Sequence, residues 1–357
     1  MILDTFFNES NIFGYSGETN YVDDIEAIPL GENEHPVDAC YRLTLENEQN
    51  WFNIMNTLAV SEMAFLEAHD GDTYMMYEAV DIKKIVNTVV DWIKKQFAKL
   101  KGVFEKAINK IKEALNFDKK LIKKYDAKVK SNPSIASKTF PIKNDRIVDF
   151  DGINKIFDII RNSYDSKCAS EINKMSGDSE KLGSWDRDSR TGMMDEVRGE
   201  IVSKMGGASG PCSAKDYSDE LKKAITHEAG RIKASDAYDT IKKGKPVASL
   251  NANFKKVSVV FNNMIKEAKA LEKIHKLNDE KDKSKEMDIK IDALKQMVNI
   301  NNATSRIVIK TVGTSYSAMR SVLRKAIGEK DKDNDDNSNS SDNNTESTNE
   351  SVICTII

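Results

Sequence analysis

Apolar residues recur from position 80 to 117 at alternating steps of three and four: Ile82, Val86, Val89, Ile93, Phe97, Leu100, Phe104, Ala107, Ile111 and Leu115. This is one face of an amphipathic helix of roughly ten turns, with the spacing of a coiled-coil seam. The seam should turn Phe97 and Phe104 toward protein, and Gly102 marks a weak point or bend. A second, basic helical segment over 119–130 stops at Asn132-Pro133. Upstream, Trp51, Ile54, Met55, Leu58, Met63 and Leu66 suit a helix over 47–68, broken by His69-Asp70-Gly71-Asp72. The glycines and prolines of 10–36 predict irregular chain.

Downstream the period changes. Thr139-Phe140-Pro141-Ile142 and Arg146-Ile147-Val148-Asp149-Phe150 predict two short strands around Asn144-Asp145. Helix is expected over 154–164, then a loop-rich stretch over 165–216 with helical pieces near 168–175 and 193–205. Helices over 217–233, 249–283 and 285–327 follow, the last with a break at Asn299-Ile300-Asn301-Asn302. The expected fold is mainly α. It has elongated amphipathic helices, a small extended or β element near 138–150 and a disordered C-terminal tail, with roughly two-thirds helix, twice the average for soluble proteins. Five segments follow from this: 1–78, 79–135, 136–216, 217–328 and 329–357.

Charge sharpens the division. The 357 residues carry a net −3, yet 1–80 hold sixteen acids and the single base Arg42, and 329–357 hold eight acids against Lys330 and Lys332. The region 81–328 is therefore at +18, and 81–130 alone contain fifteen lysines and six acids. Acidic ends can fold over a basic body, or the body can meet an anionic partner once an end is removed. Lys83, Lys84, Lys94, Lys95, Lys99 and Lys101 are the candidate nucleic-acid contacts. Three readings of this helix compete: a core helix with a solvated lysine face, a helix meeting nucleic acid or an acidic protein, and an interfacial membrane helix anchored by Trp92 and Phe97. No apolar run approaches the ~18 residues of a spanning helix. The acidic opening MILDTFFNES argues against a secretory signal.

Specific chemistry is sparse. Cys40, Cys168, Cys212 and Cys354 form no CxxC pair and fit a reducing compartment. His227-Glu228 lacks the second histidine of a zinc-protease helix. Gly206-Gly207-Ala208-Ser209-Gly210-Pro211 lacks the Lys-Ser/Thr of a phosphate loop, and Trp185 to Arg190 reads as a solvated loop. No catalytic, cofactor or metal residue is assigned, and no enzyme is expected. The segment 329–351 is almost free of apolar groups, which predicts disorder. Cys354-Thr355-Ile356-Ile357 formally fits C-a-a-X prenylation, but an acidic rather than polybasic segment precedes it, so a docking hook or an inert end is the preferred reading.

The order of parts carries a resemblance. An acidic lead, Met75-Met76-Tyr77-Glu78-Ala79, the helix VDWIKKQFAKLKGVFEKAINKIKEA, the lysine-rich FDKKLIKKYDAK and a short extended stretch resemble virion structural and internal head proteins of large tailed bacteriophages. The resemblance implies a non-enzymatic virion protein, within or lining the capsid and assembled in the host cytoplasm. Its partners would be other virion proteins, packaged DNA and a prohead protease. It also implies an N-terminal propeptide cut after a glutamate in an apolar-x-Glu-Ala pattern. Met76-Tyr77-Glu78/Ala79 fits that pattern where acidic chain gives way to basic chain. Phe65-Leu66-Glu67/Ala68, Ile111-Lys112-Glu113/Ala114 and Ile265-Lys266-Glu267/Ala268 match too, and position singles out Glu78 and Ala79 as the processing site. Cutting there leaves a body near +12, suited to lying against DNA. The alternative is an intracellular membrane-surface or partner-binding helical protein using the 82–115 helix. An enzyme with an unrecognised site is the third class.

Overall fold

The computed structural model describes residues 74–142, 146–176, 178–274 and 280–329, and some positions between 22 and 43. Helix makes up 79% of the described residues, so the mainly α expectation holds. The tail beyond Glu329, the 47–68 helix, His69 to Asp72 and Cys354 lie outside the described residues.

Three long helices form the frame: α1 (Tyr74–Ser131), α8 (Lys245–Ile274) and α9 (Glu280–Ile327). Each packs on the other two. The α1 seam becomes their common core, with Ile93, Phe97, Leu100, Phe104, Ala107 and Ile111 at most 1% exposed. Phe97 stacks near Phe254 and tilts onto Phe261, at centroid distances of 6.1 and 5.3 Å, and Phe104 meets Phe254 at 5.5 Å. Such pairs add to the burial of their area. At the far end of the seam, Asp118 is 1% exposed and clasped by α9. The Tyr316 hydroxyl donates to its Oδ2 at 2.5 Å, and Arg320 Nε donates to its Oδ1 at 2.6 Å. A buried carboxylate needs such partners, since a lone charge out of water is costly.

Helix α1 runs unbroken through Gly102. A Cβ there would stand 2.3 Å from the Ile28 carbonyl oxygen, so the glycine admits a segment of the N-terminal region that crosses the helix. Ile28 N–H donates to Ala98 O (3.0 Å), Lys101 Nζ to Ile25 O (2.9 Å) and Lys106 Nζ to Gly31 O (2.7 Å). Val22, Ala39, Cys40 and Leu43 are buried in the same core. The basic helix therefore holds this strap through backbone carbonyls and apolar anchors, while Glu34 is occupied by Arg42.

The remaining elements are β1 (Thr139–Pro141), β2 (Arg146–Val148), α2 (Ile156–Tyr164), α3 (Ser170–Met175), α4 (Ser179–Ser184), α5 (Arg187–Lys204), α6 (Tyr217–Ile225), β3 (Thr226–Glu228), β4 (Arg231–Lys233) and α7 (Ala234–Lys242). The expected strands near 138–150 are present but do not pair with each other. β1 pairs with β4 from Thr139↔Lys233 to Pro141↔Arg231, and β2 with β3 from Arg146↔Glu228 to Val148↔Thr226, both antiparallel. The helix expected over 217–233 therefore stops at Ile225, because 226–233 is drawn into this ribbon by partners some eighty residues away. Val148 N–H donates to Ser315 Oγ (2.8 Å), fixing the ribbon to α9.

Nor does α9 break at Asn299-Ile300-Asn301-Asn302. Asn301 and Asn302 are fully buried, Asn301 Nδ2 caps the Met297 carbonyl (2.8 Å), and Tyr217 bonds Thr304 one turn on (2.8 Å). Tertiary packing overrides the weak helix propensity of asparagine. The buried residues from Val22 to Ala326 make one cluster, to which all the described segments contribute.

Phe104→Ala should cost about 3–5 kcal/mol, because it leaves a cavity against Phe254 in a core that cannot collapse around it. Equilibrium denaturation checks this, and an unchanged midpoint would mean the seam is not the core.

Candidate nucleic-acid interface

The two halves of the α1 lysine face fare differently. In the first half, Lys83, Lys84 and Lys95 are exposed, and Lys94 stands 4.0 Å from Asp91. Lys99 is half-buried, and burial with the Arg42 guanidinium nearby holds its ammonium below the usual lysine value. Lys101 is bound to the strap. Lys99 and Lys101 therefore lie beside the strap, and both are only partly exposed. Trp92 and Phe97 are 6% and 1% exposed, so the apolar side that an interfacial membrane helix would offer is spent inside the protein. Among the described residues, no helix is long and apolar enough to cross a membrane.

Beyond the strap the face opens. Lys119, Lys120, Lys123, Lys124, Lys128 and Lys130 are all exposed. At 100° per residue, Lys119, Lys123 and Lys130 share one row, and Lys120, Lys124 and Lys128 form a second row about 120° further round the helix, so the two rows cover about half of its circumference. Lys124 pairs with Glu329 (2.5 Å). The others have no hydrogen-bond or ion-pair partner for their side chains among the described residues. Phe117 stands in this field at 74% exposure, one and two turns from Lys120 and Lys124. Past the end of α1, Lys138 and Lys233 are exposed at the end of the ribbon, where Ala234 N–H donates to Lys138 O (3.0 Å). The lysine spacing of 119–130 marked a basic helix in the sequence. That its charges are unpaired, and that Phe117 is bare, depends on which neighbours pack there.

Elsewhere the chemistry is structural. At the start of Gly206–Pro211 two amides close the end of α5: Gly206 N–H donates to Ser203 O (3.0 Å) and Gly207 N–H to Val202 O (2.9 Å). His227 and Glu228 lie exposed on β3, where Glu228 pairs with Arg146 (3.1 Å). The stretch Trp185 to Arg190 is no free loop, since Asp186 caps α5 through Ser189 N–H (2.9 Å) and Arg190 reaches Asp288 (2.7 Å). An open groove of about 740 Å³ lies between α5 and the π-turn Asp165–Ala169, lined by Trp185, Met193, Glu196 and Glu200 among others. Its glutamates face lysines: Glu196 with Lys167 (4.0 Å), Glu200 with Lys204 and Glu171 with Lys174 (2.5 Å). Cys40, Cys168 and Cys212 are buried free thiols. Burial pushes the Cys40 thiol up to about 12, which keeps it out of the nucleophilic thiolate form. Among the described residues, no group of three His, Cys, Asp or Glu is placed to hold a metal ion.

One buried acid has a pH consequence. Glu267 on α8 accepts the Tyr164 hydroxyl (2.9 Å), beside Asp165, Cys168 and Asp292, with Lys290 facing it from α9. Burial raises its carboxyl to about 7, with Asp165 adding to the rise, while Tyr164 and Lys290 oppose it. The folded chain therefore holds this proton more tightly than the unfolded one. Its stabilising effect is complete below the ordinary value of 4.5 and is lost as pH rises through about 7. Glu267→Gln should raise stability at pH 8 by roughly 1–3 kcal/mol and flatten the fall between pH 4.5 and 7.5. Thermal melts across that range check it, and a steeper fall in the variant would contradict it.

Comparison with protein-family models, curated proteins and solved structures finds no match to this chain.

Proposed function

We propose that this chain is a non-enzymatic structural protein of a tailed-phage virion, associated with the inside of the head, whose basic body contacts packaged DNA without sequence preference. The observation that carries the reading is the open lysine field of 119–130, unpaired among the described residues apart from Lys124 and backed by the buried Leu121 and Tyr125. A rigid helix that spends its apolar face on its own core and leaves a lysine face to solvent suits a polyanion, because neutralising phosphates releases their counterions. Phe117 adds a bare ring on which an unstacked base can lie. Lys83, Lys84, Lys94 and Lys95 supply a second, smaller contact on the far side of the strap.

Processing after Glu78 fits this reading in one respect. Glu78-Ala79 lies in the second turn of α1, where a helix frays at little cost and a protease can gain an extended strand. The cut alone does not bare the strapped part of the helix, since Val22, Ala39, Cys40 and Leu43 stay buried in the core. The strap should remain bound after cleavage and come away only with those anchors. The partner-binding alternative keeps one feature, Phe117, and its membrane form has lost Trp92 and Phe97 to the core.

Binding to duplex DNA should weaken steeply with salt, the slope of log K against log salt falling by about 0.9 for each phosphate contact removed. Replacing Lys119, Lys120, Lys123 and Lys128 together by Ala should therefore flatten the slope by up to about 3–4. Phe117→Ala should weaken single-stranded more than duplex binding. A salt-independent affinity, or a slope untouched by the four substitutions, sinks the DNA reading. Mass spectrometry of purified particles tests the rest. The chain should be present and begin at Ala79, and particles holding only chains that start at Met1 would remove the propeptide.

A further inference from the structure

The open lysine field has an acid at its edge that the chain itself delivers. α9 ends in a Schellman turn: Gly328 takes φ +84°, its N–H donates to Lys325 O (3.1 Å), and Glu329 N–H donates to Arg324 O (3.0 Å). The left-handed glycine turns the backbone out of the helix axis. It sets Glu329 on α1, with its carboxylate on Lys124 Nζ at 2.5 Å. The next residues are Lys330, Asp331, Lys332, Asp333, Asn334, Asp335 and Asp336. Four aspartates thus follow within seven positions of a carboxylate already seated in the field.

Reach does not limit them. An extended chain covers about 3.3–3.6 Å per residue, so Asp331 to Asp336 span roughly 7 to 25 Å from Glu329. Lys119, Lys120, Lys123, Lys128 and Lys130 lie within about 9 Å of Lys124 along the helix axis, at 1.5 Å per residue. These five have no partner among the described residues. A tether this short gives the acids an effective concentration in the millimolar range at the lysines, which an acidic group arriving from solution must match.

We propose that the acidic segment 331–350 folds back over the 119–130 face of α1 and occupies it, with Glu329–Lys124 as the first contact of the docked segment. The docking stands on the described geometry and on charge. Its consequence, that the segment competes with DNA for the same lysines, rests on the function proposed above. The segment then acts as a built-in polyanion: it keeps the face covered against weak or dilute anions and yields it to densely packed DNA.

The test uses the full chain and a full-length variant with Asp331, Asp333, Asp335 and Asp336 all replaced by Asn. Amine-reactive labelling read by peptide mass spectrometry should find Lys119, Lys120, Lys123 and Lys128 labelled several-fold more slowly in the natural chain than in the variant at low salt. The difference should vanish near 1 M salt, where the screening length falls to about 3 Å. Lys83 and Lys84, on the other half of α1, should label alike in both. Equal labelling of the 119–128 lysines in the two chains overturns the docking. In a parallel titration with duplex DNA at low salt, the variant should bind about tenfold more tightly or better. Slower labelling with equal DNA affinity overturns the competition alone. Slower labelling with no DNA binding by either chain leaves the docked segment standing and removes the DNA reading.

Discussion

Helix α1 is held by contacts on several sides at once, and most of the molecule follows from that. Phe97 and Phe104 set their rings against Phe254 and Phe261 of α8, while Asp118 is clasped by Tyr316 and Arg320 of α9. The strap crosses within the first of these regions, at Ala98 to Gly102, where the missing Cβ lets a carbonyl oxygen rest on the helix. Apolar burial supplies the drive, and the buried ion cluster fixes the register of α1 against α9. A slide of either helix would leave the Asp118 carboxylate in the core without its partners.

This arrangement decides which charges are available. A seam occupied by α8 and α9 leaves the lysines about the outer half of the helix, and the strap takes its middle. Lys101 and Lys106 are spent on carbonyl oxygens, and Lys99 is pressed into half-burial beside Arg42. What remains is a small group before the strap and a larger one after it, around Phe117. The same +9 that the sequence spreads evenly over 81–130 is thus sorted by packing into structural and free lysines. Only free lysines can exchange counterions with a polyanion.

The ribbon shows the same logic in the backbone. Residues 139–148 and 226–233 are each too short to be stable alone, and their pairing joins two distant parts of the chain beside α9. Closing a loop of this length is slow but not costly in free energy, since the entropy grows only with the logarithm of its length. The ribbon also brings Lys138 and Lys233 to the same end of the strand pair.

The sequence by itself determined the helical class, the α1 seam and its buried phenylalanines, and the stop at Asn132-Pro133. Those depend on periodicity and on the local geometry of proline, which need no knowledge of neighbours. It also marked 119–130 as basic helix. Tertiary structure alone decided that 226–233 is strand, that α9 runs unbroken through Asn301 and Asn302, and that Gly102 is a crossing point. It also decided that Lys99 and Lys101 are partly covered while Lys119, Lys120, Lys123 and Lys128 are exposed. Each of these turns on a partner far away in the chain: a strand that supplies the missing hydrogen bonds, a packed surface that shields an asparagine, or a carbonyl that accepts a lysine's hydrogen bond. A local pattern records which residues are present, and only the folded chain records what they have been given to bond with.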